Sequence, residues 1–123
     1  MNSAARLYKA VSEKIASPRG TEADLLLEAA RRLQTIQANW DSCGTTDLDE
    51  ALRYNRMLWT IFTCAVTNSE NPLPRGIRQN VANLGIFVMK QTISILAEPK
   101  AEKISTLIDI NRNLAAGLSA SAA

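Results

Sequence analysis

Histidine is absent from the 123 residues, and with it go the commonest general base near neutral pH and a frequent zinc ligand. Ser-His-Asp and Cys-His mechanisms are excluded on that ground alone. The two cysteines, Cys43 and Cys64, are too few for a four-ligand zinc site and do not resemble a secreted disulfide scaffold, so a reducing cytoplasm is the expected setting. Cys64 reads as a small hydrophobe rather than a reactive thiol. Glu22, Asp24, Glu28, Asp47, Asp49, Glu50 and Asp109 fall at caps or on solvent-facing helix positions. Asp47, Asp49 and Glu50 are close in sequence, but a hard cation wants about six or more oxygens and nothing nearby supplies the rest. With no glycine-rich phosphate loop, no GxSxG turn and no CxxC pair, the sequence predicts no enzyme, no cofactor, no metal and no small-molecule substrate.

The cations are distributed unevenly. Residues 51–97 carry Arg53, Arg56, Arg75, Arg78 and Lys90 against Glu70 alone. Arg53, Arg56, Arg75 and Arg78 are therefore candidates for contact with RNA or with a protein partner. RNA surfaces normally add aromatic stacking platforms, yet Trp59 and Phe62 fall on an apolar seam, which leaves only Tyr54 and Phe87. The whole chain has 14 Lys and Arg against 12 Asp and Glu, a net +2, far from the balance of a nucleic-acid-coating protein. Direct RNA binding is the weaker reading, and solubilising charge the stronger.

Elements must position these residues. A chain of this length with 46% hydrophobic and 21% charged residues is about one domain's worth and can bury a core. The longest uncharged run, residues 57–69, is thirteen long and interrupted by threonines, short of the roughly 18 needed to span a bilayer. Arg6 and Lys9 stand where a signal peptide needs its apolar stretch, so no export address and no membrane association are expected. The periodicity is helical throughout, and five helices are predicted, at about 3–16, 18–40, 48–67, 75–97 and 100–118. They form a compact, all-α, single-domain bundle over residues 1–118, followed by a disordered tail at 119–123. Ser17-Pro18 supplies a stop and a start; Asp47 with Glu50 resembles a capping box; the prolines at 72 and 74 break the chain between the third and fourth helices.

Two of these helices are apolar over much of their circumference. In the third, Leu48, Leu52, Asn55, Trp59, Phe62 and Val66 make one seam and Tyr54, Met57, Ile61 and Cys64 a second, leaving Asp49, Arg53, Arg56, Thr60, Thr63 and Thr67 as the polar strip. In the fourth, Ile77, Val81, Leu84, Val88 and Ile95 form one seam, flanked by Phe87, and Ala82, Ile86, Met89 and Ile93 form another. The second seams are either covered by the first and last helices or left as a groove for an amphipathic partner helix. Met57 and Met89 favour the groove, because flexible thioethers suit adaptable surfaces. The candidate partner-binding residues are thus Tyr54, Met57, Ile61, Ala82, Ile86, Met89 and Ile93. Asn55 and Asn111 sit inside apolar seams, where an amide needs a partner. They are expected to bond each other or nearby backbone and fix helix register, in preference to contacting a ligand.

Several blocks together resemble the FlaF family of flagellar biosynthesis regulators. They are Ala51-Leu52-Arg53-Tyr54-Asn55-Arg56-Met57-Leu58-Trp59-Thr60-Ile61-Phe62, then Asn71-Pro72-Leu73-Pro74, then Arg78-Gln79-Asn80-Val81-Ala82-Asn83-Leu84-Gly85-Ile86-Phe87-Val88. The last runs from Leu107-Ile108-Asp109-Ile110-Asn111 through Arg112-Asn113-Leu114-Ala115-Ala116-Gly117-Leu118. Tyr8 and Ser17-Pro18-Arg19 also look like the family's N-terminal part. The resemblance implies a cytoplasmic, non-enzymatic, flagellin-specific export chaperone that works beside the flagellin-mRNA regulator FlbT. Its expected partners are flagellin and, through the control circuit, FlbT. An alternative it leaves open is post-transcriptional regulation of flagellin through FlbT or directly on the mRNA.

Overall fold

The computed structural model describes residues 19–122. Among these residues there are four helices and no strand: α1 (Arg19–Ala38), α2 (Thr45–Thr67), α3 (Arg75–Ala97) and α4 (Ala101–Ala122). The architecture is the expected all-α bundle, with four helices where about five were expected; the segment predicted helical at about 3–16 and the Ser17-Pro18 junction lie outside the described residues. The helices close a ring in which α1 packs on α2 and α4, and α3 packs on the same two from the other side.

Small residues and one polar pair of glutamines explain the tightest contact, between α1 and α4. Ala23 and Ala30 are fully buried one heptad apart, so the backbones approach without side-chain bulk between them. On the same side Gln37 donates to the Ala101 carbonyl at 2.8 Å and to Ser105 Oγ at 2.7 Å, and Gln34 accepts from Arg112 at 2.6 Å. These bonds fix α1 and α4 antiparallel. The expected first seam of α2 is entirely buried: Leu48, Leu52, Asn55, Trp59, Phe62 and Val66. It meets Val81, Val88 and Ile95 of α3 and Ile104, Leu107, Ile108, Ala115 and Leu118 of α4 in one core.

Both asparagines are fully buried, and they bond each other as the sequence led us to expect. Asn111 Nδ2 donates to Asn55 Oδ1 at 2.7 Å, and the indole of Trp59 donates to Asn111 Oδ1 at 2.8 Å. The three side chains span the diagonal of the ring from α2 to α4, two helices whose backbones stand apart across the core. Asn55 Nδ2 finds no acceptor among the described residues.

Helix ends differ from expectation in detail. α1 stops at Ala38, ahead of Trp40, because the Asn39 side chain turns back to the Thr35 carbonyl at 2.9 Å and the chain enters a turn. α2 begins at Thr45 with Gly44 as its cap. Asp47 is thus the third helical residue and not the cap; its carboxylate accepts the Gly44 N–H at 3.1 Å, the reach-back half of a capping box placed where the helix dipole favours a negative charge. Asn68 and Asn71 hold the 68–74 turn by accepting the Glu70 and Leu73 amides, each at 2.9 Å. α4 remains helical to Ala122, past the expected end at Leu118, in keeping with the helix propensity of its alanines.

α3 is the least buried helix of the ring's core-facing set. Its inward line is Val81, Gly85, Val88, Thr92 and Ile95, one residue wide. It packs closely on α2, near enough at one position that a Cβ on Gly85 would collide with Thr63 Oγ1. Toward α4 it is tied near the 98–100 turn, by Gln91 to the Lys103 carbonyl at 3.0 Å and Lys103 Nζ to Ser94 at 3.0–3.1 Å. Farther along, the pair opens into a groove of about 460 Å³ lined by Ile77, Val81, Leu84, Ile110, Leu114 and Leu118 among others.

Two stability outcomes follow from these contacts. Asn111→Leu strands the Trp59 indole and the Asn55 amide, so urea unfolding should show a loss of about 1–3 kcal/mol, and adding Asn55→Leu should recover part of it; a double variant worse by the simple sum would contradict a shared network. Glycine to alanine inside a helix ordinarily gains about 0.5–1 kcal/mol. Here Gly85→Ala should instead lower the melting temperature, at a cost of about 1–3 kcal/mol, and Gly85→Ala with Thr63→Ala should restore it.

Candidate functional site

The polar strip of α2 faces α3. Thr63 lies against Gly85, and Asp49, Leu52, Arg53 and Arg56 of α2 line a cavity of about 190 Å³ together with Thr92 and Leu96 of α3. Two unlike walls result: one polar and cationic on α2, one apolar on α3. With about 100° per residue, Met89 lies about 40°, Ala82 about 60°, Ile93 about 80° and Ile86 about 100° round from Gly85 toward solvent. The row therefore climbs from the valley floor to the outside. Ala82 and Met89 are half-buried at its base, while Ile86 is 57% and Ile93 67% exposed. Leu96, 47% exposed, extends the row. Exposure of this extent on consecutive turns of one helix is a contiguous apolar patch, not scattered surface leucines.

The seven candidate contact residues are not gathered into one groove. Tyr54 and Ile61 are buried and Met57 is half-buried against the core; they lie about 120–180° round α2 from Thr63, on the side away from α3. The Arg32 guanidinium of α1 stacks 3.9 Å above the centre of the Tyr54 ring, a cation–π contact. The rotation that puts Asn55 and Trp59 in the core turns α2's second seam away from α3 and its polar strip toward it. Ala82, Ile86, Met89 and Ile93 stay together on the outer flank of α3.

Electrostatics separate the two sides as well. Glu28 accepts from Arg31 at 2.7–2.9 Å and from Arg32 at 3.1 Å. These bonds hold its carboxyl down at about 2, the Arg31 hydrogen bond first, with burial opposing and the Arg32 hydrogen bond adding to the lowering. Burial raises the Tyr54 phenol above its ordinary value, with the Arg32 charge opposing. Around α3 the cations lack such partners: among the described residues Arg53, Arg56, Arg75 and Lys90 form no ion pair. Arg78 donates to the Asn68 carbonyl at 3.2 Å. The four arginines do not form one patch. Arg53 and Arg56 stand beside Thr92 and Leu96, whereas Arg75 and Arg78 begin α3, roughly 20 Å away along the helix.

Sequence reasoning missed Leu96, although the spacing 82, 86, 89, 93 continues to 96 by the same alternation of four and three. It also left open the far flank of α3, where Phe87 is 44% exposed between the outer row and the groove toward α4. Among the described residues no group of three or more His, Cys, Asp or Glu is placed to hold a metal, and no helix is long and apolar enough to cross a membrane. Cys64 is exposed, contrary to the expectation of a buried thiol.

No curated protein and no solved structure matches the chain significantly. A protein family does: the family described as flagellar protein FlaF matches residues 4–118, nearly the full length and all of the core and α3 row. Its members serve flagellum formation as regulatory or chaperone proteins and not as enzymes. The chain belongs to the FlaF family.

Proposed function

We propose that, within flagellum biogenesis, this chain is a flagellin-specific chaperone that seats an amphipathic flagellin helix on the outer flank of α3. One observation carries the reading: Ile86, Ile93 and Leu96 remain 47–67% exposed on a helix whose other face is core. Covering the part of each side chain still in water would gain about 1–2 kcal/mol apiece, a gain that a client helix lying along the row would supply. Flagellin's terminal segments are amphipathic and polymerise in the filament, so before export they need an apolar surface of this kind. Met89 at the base of the row adds side-chain adaptability. An empty or occupied row would also report flagellin supply to the control circuit that includes FlbT, which is how a chaperone acts as a regulator of flagellin synthesis.

The contacts proposed are Ala82, Ile86, Met89, Ile93 and Leu96, with Arg53 and Arg56 on the facing wall. Ile93→Glu and Ile86→Glu change exposed positions, so circular dichroism and the cooperative melt should match wild type while co-purification with flagellin falls by at least about tenfold. Light scattering should show a one-to-one heterodimer for wild type alone. Undiminished capture by both folded variants would reject the surface.

A further inference from the structure

The charges that border the α3 row specify its client more closely, given the docking reading above. α3 contains Arg75, Arg78 and Lys90 and not one carboxylate. On the valley side the row faces Arg53 and Arg56 of α2, both exposed. On the outer side, just beyond Gln79, stands Lys90, about 140° round from Gly85, with Asn83 beside it. The apolar strip thus has Arg53 and Arg56 on its valley side near the Leu96 end and Lys90 on its outer side, and among the described residues none of the three forms an ion pair. Asp49 is the one carboxylate on the wall, at the Leu96 end.

We infer that the row binds an amphipathic helix whose apolar stripe is flanked by carboxylates on both edges. Ala82 to Leu96 covers about 21 Å of helix, so the client contributes about four turns. Its apolar residues lie on Ile86, Met89, Ile93 and Leu96, one acidic edge opposes Arg53 and Arg56, and the other opposes Lys90. A second copy of the chain is a poor occupant, since two such rows face to face set like charges on like. An anionic bilayer is a poor one also: three cations fall below the four to eight basic residues that typically mark anionic-lipid recognition.

The test uses the full chain and two labelled synthetic helices of eighteen residues that share one apolar stripe and carry either glutamates or lysines on both flanks. Fluorescence anisotropy at low salt should show the glutamate helix binding about tenfold more tightly or better, with the gap narrowing as salt is raised. Arg53→Glu, Arg56→Glu and Lys90→Glu combined should invert the preference. Equal affinities, a lysine preference, or failure to bind either helix overturns the inference. So does self-association that Ile93→Glu abolishes, or cosedimentation with phosphatidylglycerol vesicles without selection between the helices. If the two helices bind alike while Ile93→Glu still destroys flagellin capture, the charge inference falls and the docking surface stands. If the glutamate preference holds while flagellin capture is indifferent to Ile93→Glu, the identity of the client falls instead.

Discussion

The hydrogen-bonded chain from Trp59 through Asn111 to Asn55 sets the geometry on which the rest of the bundle depends. Apolar side chains can slide by a turn and still be buried, but an amide in a dry interior has few acceptable partners. By linking α2 to α4 across the diagonal, the network fixes how α2 is rotated about its own axis. That rotation decides which strip of α2 faces α3. With Asn55 and Trp59 inward, Thr63 meets Gly85 and Tyr54 passes beneath Arg32.

From this rotation follows the unequal treatment of the two apolar strips. Tyr54 and Ile61 are sealed on the far side of α2. The α3 strip is left uncovered because the wall it faces is short, polar and cationic: threonines and arginines do not reach across to bury isoleucines. Charge and greasiness end up side by side along one valley, a combination that suits a client with both characters and is awkward for a purely apolar one.

Much of this was legible in one dimension. The seam from Leu48 to Val66 repeats with helical period over about five turns, and every member is buried; of the expected α3 seam Val81, Val88 and Ile95 are buried too, whereas Ile77 and Leu84 are half-buried at the groove toward α4. The pairing of Asn55 with Asn111 could be anticipated because a buried amide demands a partner. The fate of the second seams could not. The strips containing Met57 and Met89 have nearly the same composition, and what distinguishes them is a long-range choice, the approach of Gly85 to Thr63 and the stack of Arg32 on Tyr54, which periodicity within a single helix does not encode. Gly44 has no side chain to advertise its role as a cap, and the acidic Asp47 signals a helix start three positions too late.

The opening between the first half of α3 and the last half of α4 has a mechanical consequence. α1 and α4 are clamped by small residues and glutamine bonds, α2 is tied to α4 through the core amides, and α2 packs on both α1 and α3, which leaves the α3–α4 seam as the sparsest of the ring. α3 packs on α2 but is tied to α4 only near the 98–100 turn, through Gln91 and Lys103. Local unfolding begins where such attachments are fewest. Strain applied to the outer flank of α3 is therefore felt first at its seam with α4 and last at the clamp between α1 and α4.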